Sequence, residues 1–264
     1  MRLPKARRVS PVQHNDRPIY FIHGWGVGPG IWSAFINELN YQGQATALGL
    51  PGYHISSKQR DYKKLNIDDM VKQIADQISA NAVVVGWSLG GMIAIKLVEY
   101  KKHLINTLVL LASTPCFVKK PDWPHGVDVT RMTSITNGLK QDMSGVLKTF
   151  ISETALGDPS PKKTIRKLRE HAQQDSHGVE VLSDGLEILS NEDLRHNMKN
   201  LACRTVMILG KNDRLVPVAT GEKILKYCPG ISLVTIDNAG HAPFISQQQE
   251  TISAINNLIN GSPI

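Results

Sequence analysis

Apolar and polar positions along the chain fall into two alternating rhythms. Short continuous apolar runs, PIYFIHG (18–24), QATAL (44–48), AVVVGW (82–87) and INTLVLLAS (105–113), read as buried strands. Between them, IWSAFINEL (31–39), a stretch from about Ile67 to Ile78, and GMIAIKLVEY (91–100) carry their apolar residues at helical spacing. Near the end the alternation resumes with RTVMILG (204–210), a helix near 217–227, ISLVTID (231–237) and a helix near 247–260. Strands alternating with helices predict an α/β fold, a mostly parallel sheet covered by helices on both faces.

From about Phe117 to Asn200 the strand rhythm disappears. That stretch reads as helices broken by Pro121, Pro124, Gly138, the 157–161 segment and Gly178. A helical insert between two halves of a parallel sheet suggests a lid. The expected organisation is an extension over 1–17, a core over 18–116 and 201–264, and a helical lid over 117–200.

After the first strand come Gly24, Gly26, Gly28 and Gly30. A dinucleotide loop needs glycines at i, i+2 and i+5. Counting from Gly24 puts Pro29 in the last place, and counting from Gly26 puts Ile31 there, so that reading fails.

The 264 residues carry a net charge of +7. Arg2, Lys5, Arg7, Arg8 and Arg17 against Asp16 place +4 of it in the first 17 residues, which read as a solvated extension without an inferred role. With the remainder near balance and no nucleic-acid-binding motif, a nucleic-acid partner is not expected. No apolar run approaches the ~18 residues of a membrane span, and the N-terminus lacks the apolar segment of a secretory signal. Cys116, Cys203 and Cys228 are too few and too distant for a disulfide framework or a CxxC pair, which suits a reducing cytosol. No HExxH, Cys/His cluster or carboxylate array calls for a metal, and no cofactor is expected.

The sharpest chemical signal is Gly86-Trp87-Ser88-Leu89-Gly90, directly after AVVVGW and before a helix. In that context G-x-S-x-G predicts a nucleophile elbow, a tight turn that lifts the serine hydroxyl off the sheet. The bland alternative is a βα turn whose serine only caps the helix. A serine nucleophile needs a base and an orienting carboxylate, in the chain order Ser, Asp or Glu, His. Asp213, in LGKNDRLVP, and His241, in NAGHAPF, each follow a strand and supply that order. Asp237 is a rival carboxylate, but it ends the strand that feeds the histidine loop itself, which favours Asp213. The glycine loop then supplies one donor of an oxyanion hole and the residue after the nucleophile the other: the backbone N–H groups of Trp25 and Leu89 are expected there.

His23-Gly-Trp-Gly26, Gly86-Trp-Ser-Leu-Gly-Gly91, Ala112-Ser-Thr-Pro-Cys-Phe117, Gly185-Leu-Glu-Ile-Leu189 with Asp193-Leu-Arg195, and His241-Ala-Pro-Phe-Ile-Ser246 together carry a narrower likeness. From about Ile19 to the last helix the chain resembles the pimeloyl-acyl-carrier-protein methyl ester esterases of biotin synthesis, members of the α/β-hydrolase superfamily. The resemblance implies a cytoplasmic serine carboxylesterase that frees the distal carboxylate of pimeloyl-acyl carrier protein, with Ser88 as nucleophile, His241 as base and Asp213 as its orienter. It also implies substrate contacts from Trp25, Ser88, Leu89, His241 and a lid segment, Phe150, Ile151, Ser152, Glu153 and Thr154. Its acidic carrier partner needs a basic docking face. Lys162, Arg166 and Arg169 share one side of a predicted helix, flanked by Lys163 and Lys167. A solvated helix face is the plain alternative. A monomer acting on the carrier-bound ester is expected. A generic short-chain esterase, thioesterase or lactonase, or a ligand receptor on the same scaffold, are the competing readings.

Overall fold

The computed structural model of the chain describes residues 16–53, 63–174 and 178–260. The basic extension up to residue 15 and part of the loop after Leu50 lie outside these residues. Arg17, grouped above with the extension, is tied to the body through Nη1 to Asn106 Oδ1 (2.6 Å) and Nη2 to the Ile259 carbonyl.

Six strands, β1 (Ile19–Ile22), β2 (Ala45–Leu48), β3 (Ala82–Trp87), β4 (Ile105–Leu111), β5 (Arg204–Gly210) and β6 (Ser232–Ile236), form one parallel sheet in the order β2-β1-β3-β4-β5-β6. Successive side chains on a strand point to opposite faces, so every strand feeds two cores. Tyr20, Ile22, Val84, Met207 and Leu209 enter one, with helices α2 (Ile67–Ala75), α3 (Leu89–Tyr100) and α9 (Val218–Tyr227). Ile19, Phe21, Val83, Val85, Val206 and Ile208 enter the other, with α1 (Ser33–Leu39), α10 (Pro243–Ser246) and α11 (Gln248–Ile259). Coverage on both faces is why β3 and β5 read as unbroken apolar runs: all six residues of β3 are buried.

Among the described residues five helices separate β4 from β5: α4 (Val129–Gln141), α5 (Met143–Thr154), α6 (Pro161–Gln174), α7 (Val179–Asn191) and α8 (Arg195–Lys199). Gly138 does not break a helix as the sequence suggested; it sits inside α4. An interior glycine costs about 1 kcal/mol relative to alanine. Here it admits α5 closely, since a Cβ at position 138 would lie 3.2 Å from Val146 Cγ2. The actual break is at Asp142, whose Oδ1 accepts the Gly145 N–H (2.9 Å) and caps α5. The two ends of the insert are clamped together. Leu194 N–H donates to Pro115 O (2.7 Å), and Arg195 pairs with Asp193 (2.6 Å) and Asp122 (2.7 Å) while its guanidinium lies 5.4 Å from the centre of the Trp123 ring. Hydrogen bonds from Arg195 pull the Asp193 carboxyl down to about 2.

Among the described residues, no helix is long and apolar enough to cross a membrane. The three cysteines are free.

Candidate active site

The segments that leave β1, β3, β5 and β6 at their carboxyl ends meet on one rim of the sheet, where parallel α/β sheets place their sites. Ser88 follows β3 with φ 53° and ψ −118°, a conformation that L residues rarely adopt, and α3 starts at the next residue. Glycines make the turn possible. A Cβ at Gly86 would lie 2.4 Å from Gly90 O, and one at Gly90 would lie 2.5 Å from the carbonyl oxygens of Ile22 and His23. The turn is fastened by Ser88 N–H to Leu111 O (3.1 Å), and the Ser88 carbonyl accepts from Ser113 Oγ (2.7 Å) and Gly91 N–H (3.0 Å).

The Ser88 hydroxyl lies 2.9 Å from His241 Nε2, and His241 Nδ1 lies 2.8 Å from Asp213 Oδ2. All three side chains are buried. Asp213 Oδ1 is already occupied by the N–H groups of Leu215 (2.8 Å) and Val216 (3.0 Å). An ionised carboxylate only accepts, so the imidazole proton belongs on Nδ1 and the lone pair of Nε2 faces the serine hydroxyl. That arrangement can take a proton from Ser88 as its oxygen attacks an electrophile. Asp237, the rival carboxylate, is exposed and pairs with Lys211 Nζ at 2.6 Å. The histidine loop is held from outside the triad too: Trp87 Nε1 donates to the His241 carbonyl (2.7 Å). No periodicity in the sequence encodes that contact, although a buried indole N–H usually finds an acceptor.

Trp25 is buried beside Leu89. A Cβ at Gly185 of α7 would sit 2.7 Å from Trp25 Cδ1 and 3.2 Å from Leu89 Cδ2, so the glycine of GLEIL lets the insert close onto both residues. The Trp25 indole donates to Leu182 O (2.8 Å). Leu89 opens α3, and a first-turn N–H has no partner within its own helix. His23 is fixed as a neutral ring: Nε2 accepts the Leu50 N–H (3.0 Å) while Nδ1 donates to Gly24 O (2.9 Å). It shapes the glycine loop.

Helical geometry spreads the five residues Phe150–Thr154 around α5. Phe150 packs edge-on against Trp25, ring centres 4.8 Å apart, and lines a narrow apolar crevice with Phe117, Met132, Leu186 and Leu215. Glu153 reaches the same crevice and pairs with Arg131. Ile151 turns into the opposite core, the one that also holds Trp87 and Phe244. The hydroxyls of Ser152 and Thr154 bond back to the carbonyls of Lys148 (2.8 Å) and Phe150 (3.0 Å). Thr154 meets the site through its backbone, its carbonyl accepting the His241 N–H (3.2 Å). On α6, Lys162, Lys163, Arg166 and Arg169 are exposed and Lys167 is half-buried, whereas Thr164 and Leu168 face inward. Glu170 lies 3.8 Å from Arg166 Nε and offsets part of that charge.

Both the sequence and the fold have counterparts among known proteins. The family model described as alpha/beta hydrolase fold matches residues 17–248. The pimeloyl-[acyl-carrier protein] methyl ester esterase of Nitrosomonas europaea is 30% identical over 245 residues, spanning 92% of this chain and 96% of that one. A protein of the same description from Xylella fastidiosa is 31% identical over 248 residues, 93% and 96% of the two chains. Among solved structures, an esterase from Exiguobacterium antarcticum superposes with a TM-score of 0.81 over 92% of this chain and 91% of its own; at 20% identity this is a likeness of fold. The chain therefore belongs to the α/β-hydrolase family and, within it, to the family of the pimeloyl-[acyl-carrier protein] methyl ester esterases.

Proposed function

We propose that the protein is a cytoplasmic serine carboxylesterase that hydrolyses the methyl ester of pimeloyl-acyl carrier protein to the free acid and methanol, serving biotin synthesis. The observation that carries the reading is the continuous hydrogen-bonded path from Ser88 through His241 to Asp213, in a chain whose relatives bear that name. As Ser88 Oγ attacks the ester carbonyl, its proton passes to His241 Nε2, and Asp213 stabilises the imidazolium. The carbonyl oxygen, now negative, accepts from the N–H groups of Trp25 and Leu89. Collapse of the tetrahedral intermediate expels methanol, which takes the proton back from His241. A water deprotonated by the same nitrogen then releases the acyl group from Ser88. The crevice beside Phe150, about 10 Å³ in this structure, is too small for a methylene chain and admits one only if the helices around it part. The helices between β4 and β5 act as a lid over it.

The decisive experiment measures multiple turnover of methyl pimeloyl-acyl carrier protein and of p-nitrophenyl acetate by the same preparation. A kcat/KM at least about a hundredfold higher for the carrier-bound ester is expected, a gap of about 2.7 kcal/mol. Equal values would make the chain a generic esterase, and a stall after one equivalent would make it a receptor. In cells, the wild-type gene, and not Ser88→Ala, restores growth without biotin to a strain lacking this esterase.

The exposed basic side of α6, Lys162, Lys163, Arg166 and Arg169 with Lys167 at its edge, receives the acidic carrier in this reading. Reversing Arg166 and Arg169 to Glu is expected to raise KM for the carrier-bound ester about tenfold, as two surface pairs become repulsions. KM for p-nitrophenyl acetate stays unchanged. Equal rises for both substrates would place docking elsewhere.

A further inference from the structure

Between α5 and α6 the chain passes along the rim that carries His241 and Asp213, and it is bonded to both of their loops. Gly157 O accepts from Asn212 Nδ2 (2.9 Å), next to Asp213. Asp158 Oδ1 accepts the N–H of Gly240 (2.7 Å), next to His241. The approach is close at the backbone: a Cβ on Gly240 would lie 2.6 Å from Leu156 O, and one on Gly157, at φ +91°, would lie 2.5 Å from Asn212 O.

Asp158 is only 7% exposed, and a buried carboxylate is costly unless its charge is answered. The groups that face it are the hydroxyls of Thr164 on α6 and Ser246 on α10, the Gly240 amide, and the carboxylate of Asp213. Burial, and to a lesser degree Asp213, push its carboxyl above the usual carboxylate range, while the three donors pull it back. Oδ2 has no hydrogen-bond partner among the described residues, and the Ser246 hydroxyl donates to the Ala242 carbonyl (3.3 Å).

We infer that Asp158 is a positioning residue of the hydrolytic site: it holds the Gly240 amide, sets His241 toward Ser88, and so couples the helical insert to the triad. The inference rests on reading Ser88, His241 and Asp213 as that triad. A charged acceptor makes a bond about twice as strong as a neutral one. A second negative charge near Asp213 also favours the imidazolium that forms when His241 takes the serine proton.

The test uses the full chain with p-nitrophenyl acetate, which needs no carrier docking. Asp158→Ala is expected to lower kcat at least about tenfold with KM within about twofold, as expected when positioning rather than binding is lost. Asp158→Asn keeps an acceptor for Gly240 and is expected to retain about a third of kcat or more, with the acid limb of its kcat/KM profile about half a pH unit lower, because the charge that favours imidazolium is gone. A purely structural residue would leave that limb where it is. An unmoved limb in Asp158→Asn, or wild-type kcat in a folded Asp158→Ala, overturns the inference; if the alanine variant does not fold, the limb of the asparagine variant decides. An active wild type with an unmoved limb sinks this inference alone, whereas a wild type without turnover sinks the triad reading and this inference with it.

Discussion

Alanine at position 88 is expected to lower kcat for either ester by about 10⁴- to 10⁶-fold, the range seen when the nucleophile of such a relay is removed. The attacking oxygen disappears, and His241 Nε2, 2.9 Å away, is left with no hydroxyl to deprotonate. On the proposed reading the oxyanion donors and substrate contacts are untouched, so some acceleration over water is expected to remain. The fold survives as well. The positive φ at this position is imposed by neighbours, Gly86 and Gly90 inside the turn and Ser113 on the carbonyl, none of which touches the hydroxyl being removed. One lost hydrogen bond is worth about 1 kcal/mol, a few degrees in Tm at most. Circular dichroism with steady-state kinetics and a fluorophosphonate label checks this: wild type labelled, variant folded, unlabelled and inactive. A folded variant retaining more than about a hundredth of kcat would mean that another group attacks.

Parts of this fold and site are legible in the sequence because they depend on local rules. AVVVGW and RTVMILG coincide with β3 and β5, central strands whose two buried faces leave no polar alternation to blur their ends. Ser88, Asp213 and His241 follow from strand ends and chain order, and Asp213 is preferred to Asp237 because it leaves the strand beside the one that feeds the histidine loop. α3 begins at Leu89, two residues before the apolar rhythm suggests, because the elbow hands the chain straight into the helix. Other features rest on partners distant in the chain, and no periodicity encodes those. Gly138 has the spelling of a breaker, but α5 packs against it and the helix continues. The indoles of Trp87 and Trp25 find acceptors on His241 and Leu182, 154 and 157 residues away. Asp158 reads as an ordinary turn residue in GDPSP until its oxygen is seen on the Gly240 amide. Chemistry at this rim is spelled by motifs; the contacts that hold it in register come from distant parts of the core and of the insert.

Asparagine at position 213 is expected to lower kcat by about 10⁴-fold while leaving the geometry nearly unchanged. The reason lies in the two oxygens of the native carboxylate. Oδ1 accepts two backbone N–H groups, from Leu215 and Val216, so an amide placed there must keep its oxygen on that side. Its NH₂ is thereby turned toward His241 Nδ1, 2.8 Å away in the native site. A donor facing Nδ1 forces that nitrogen to accept and moves the ring proton to Nε2, which then points a hydrogen at the Ser88 hydroxyl and cannot take its proton. The imidazolium also loses its counter-charge, so the transition state suffers twice. Asp237→Asn, altering a carboxylate that is exposed and paired with Lys211, is the matched control and should keep wild-type kcat. Steady-state kinetics on p-nitrophenyl acetate, with thermal melts to show that all three proteins are folded, decides the matter. If Asp213→Asn kept more than about a tenth of kcat while Asp237→Asn lost activity, the orienting carboxylate would be the one at 237, and His241 would have to act through a different rotamer.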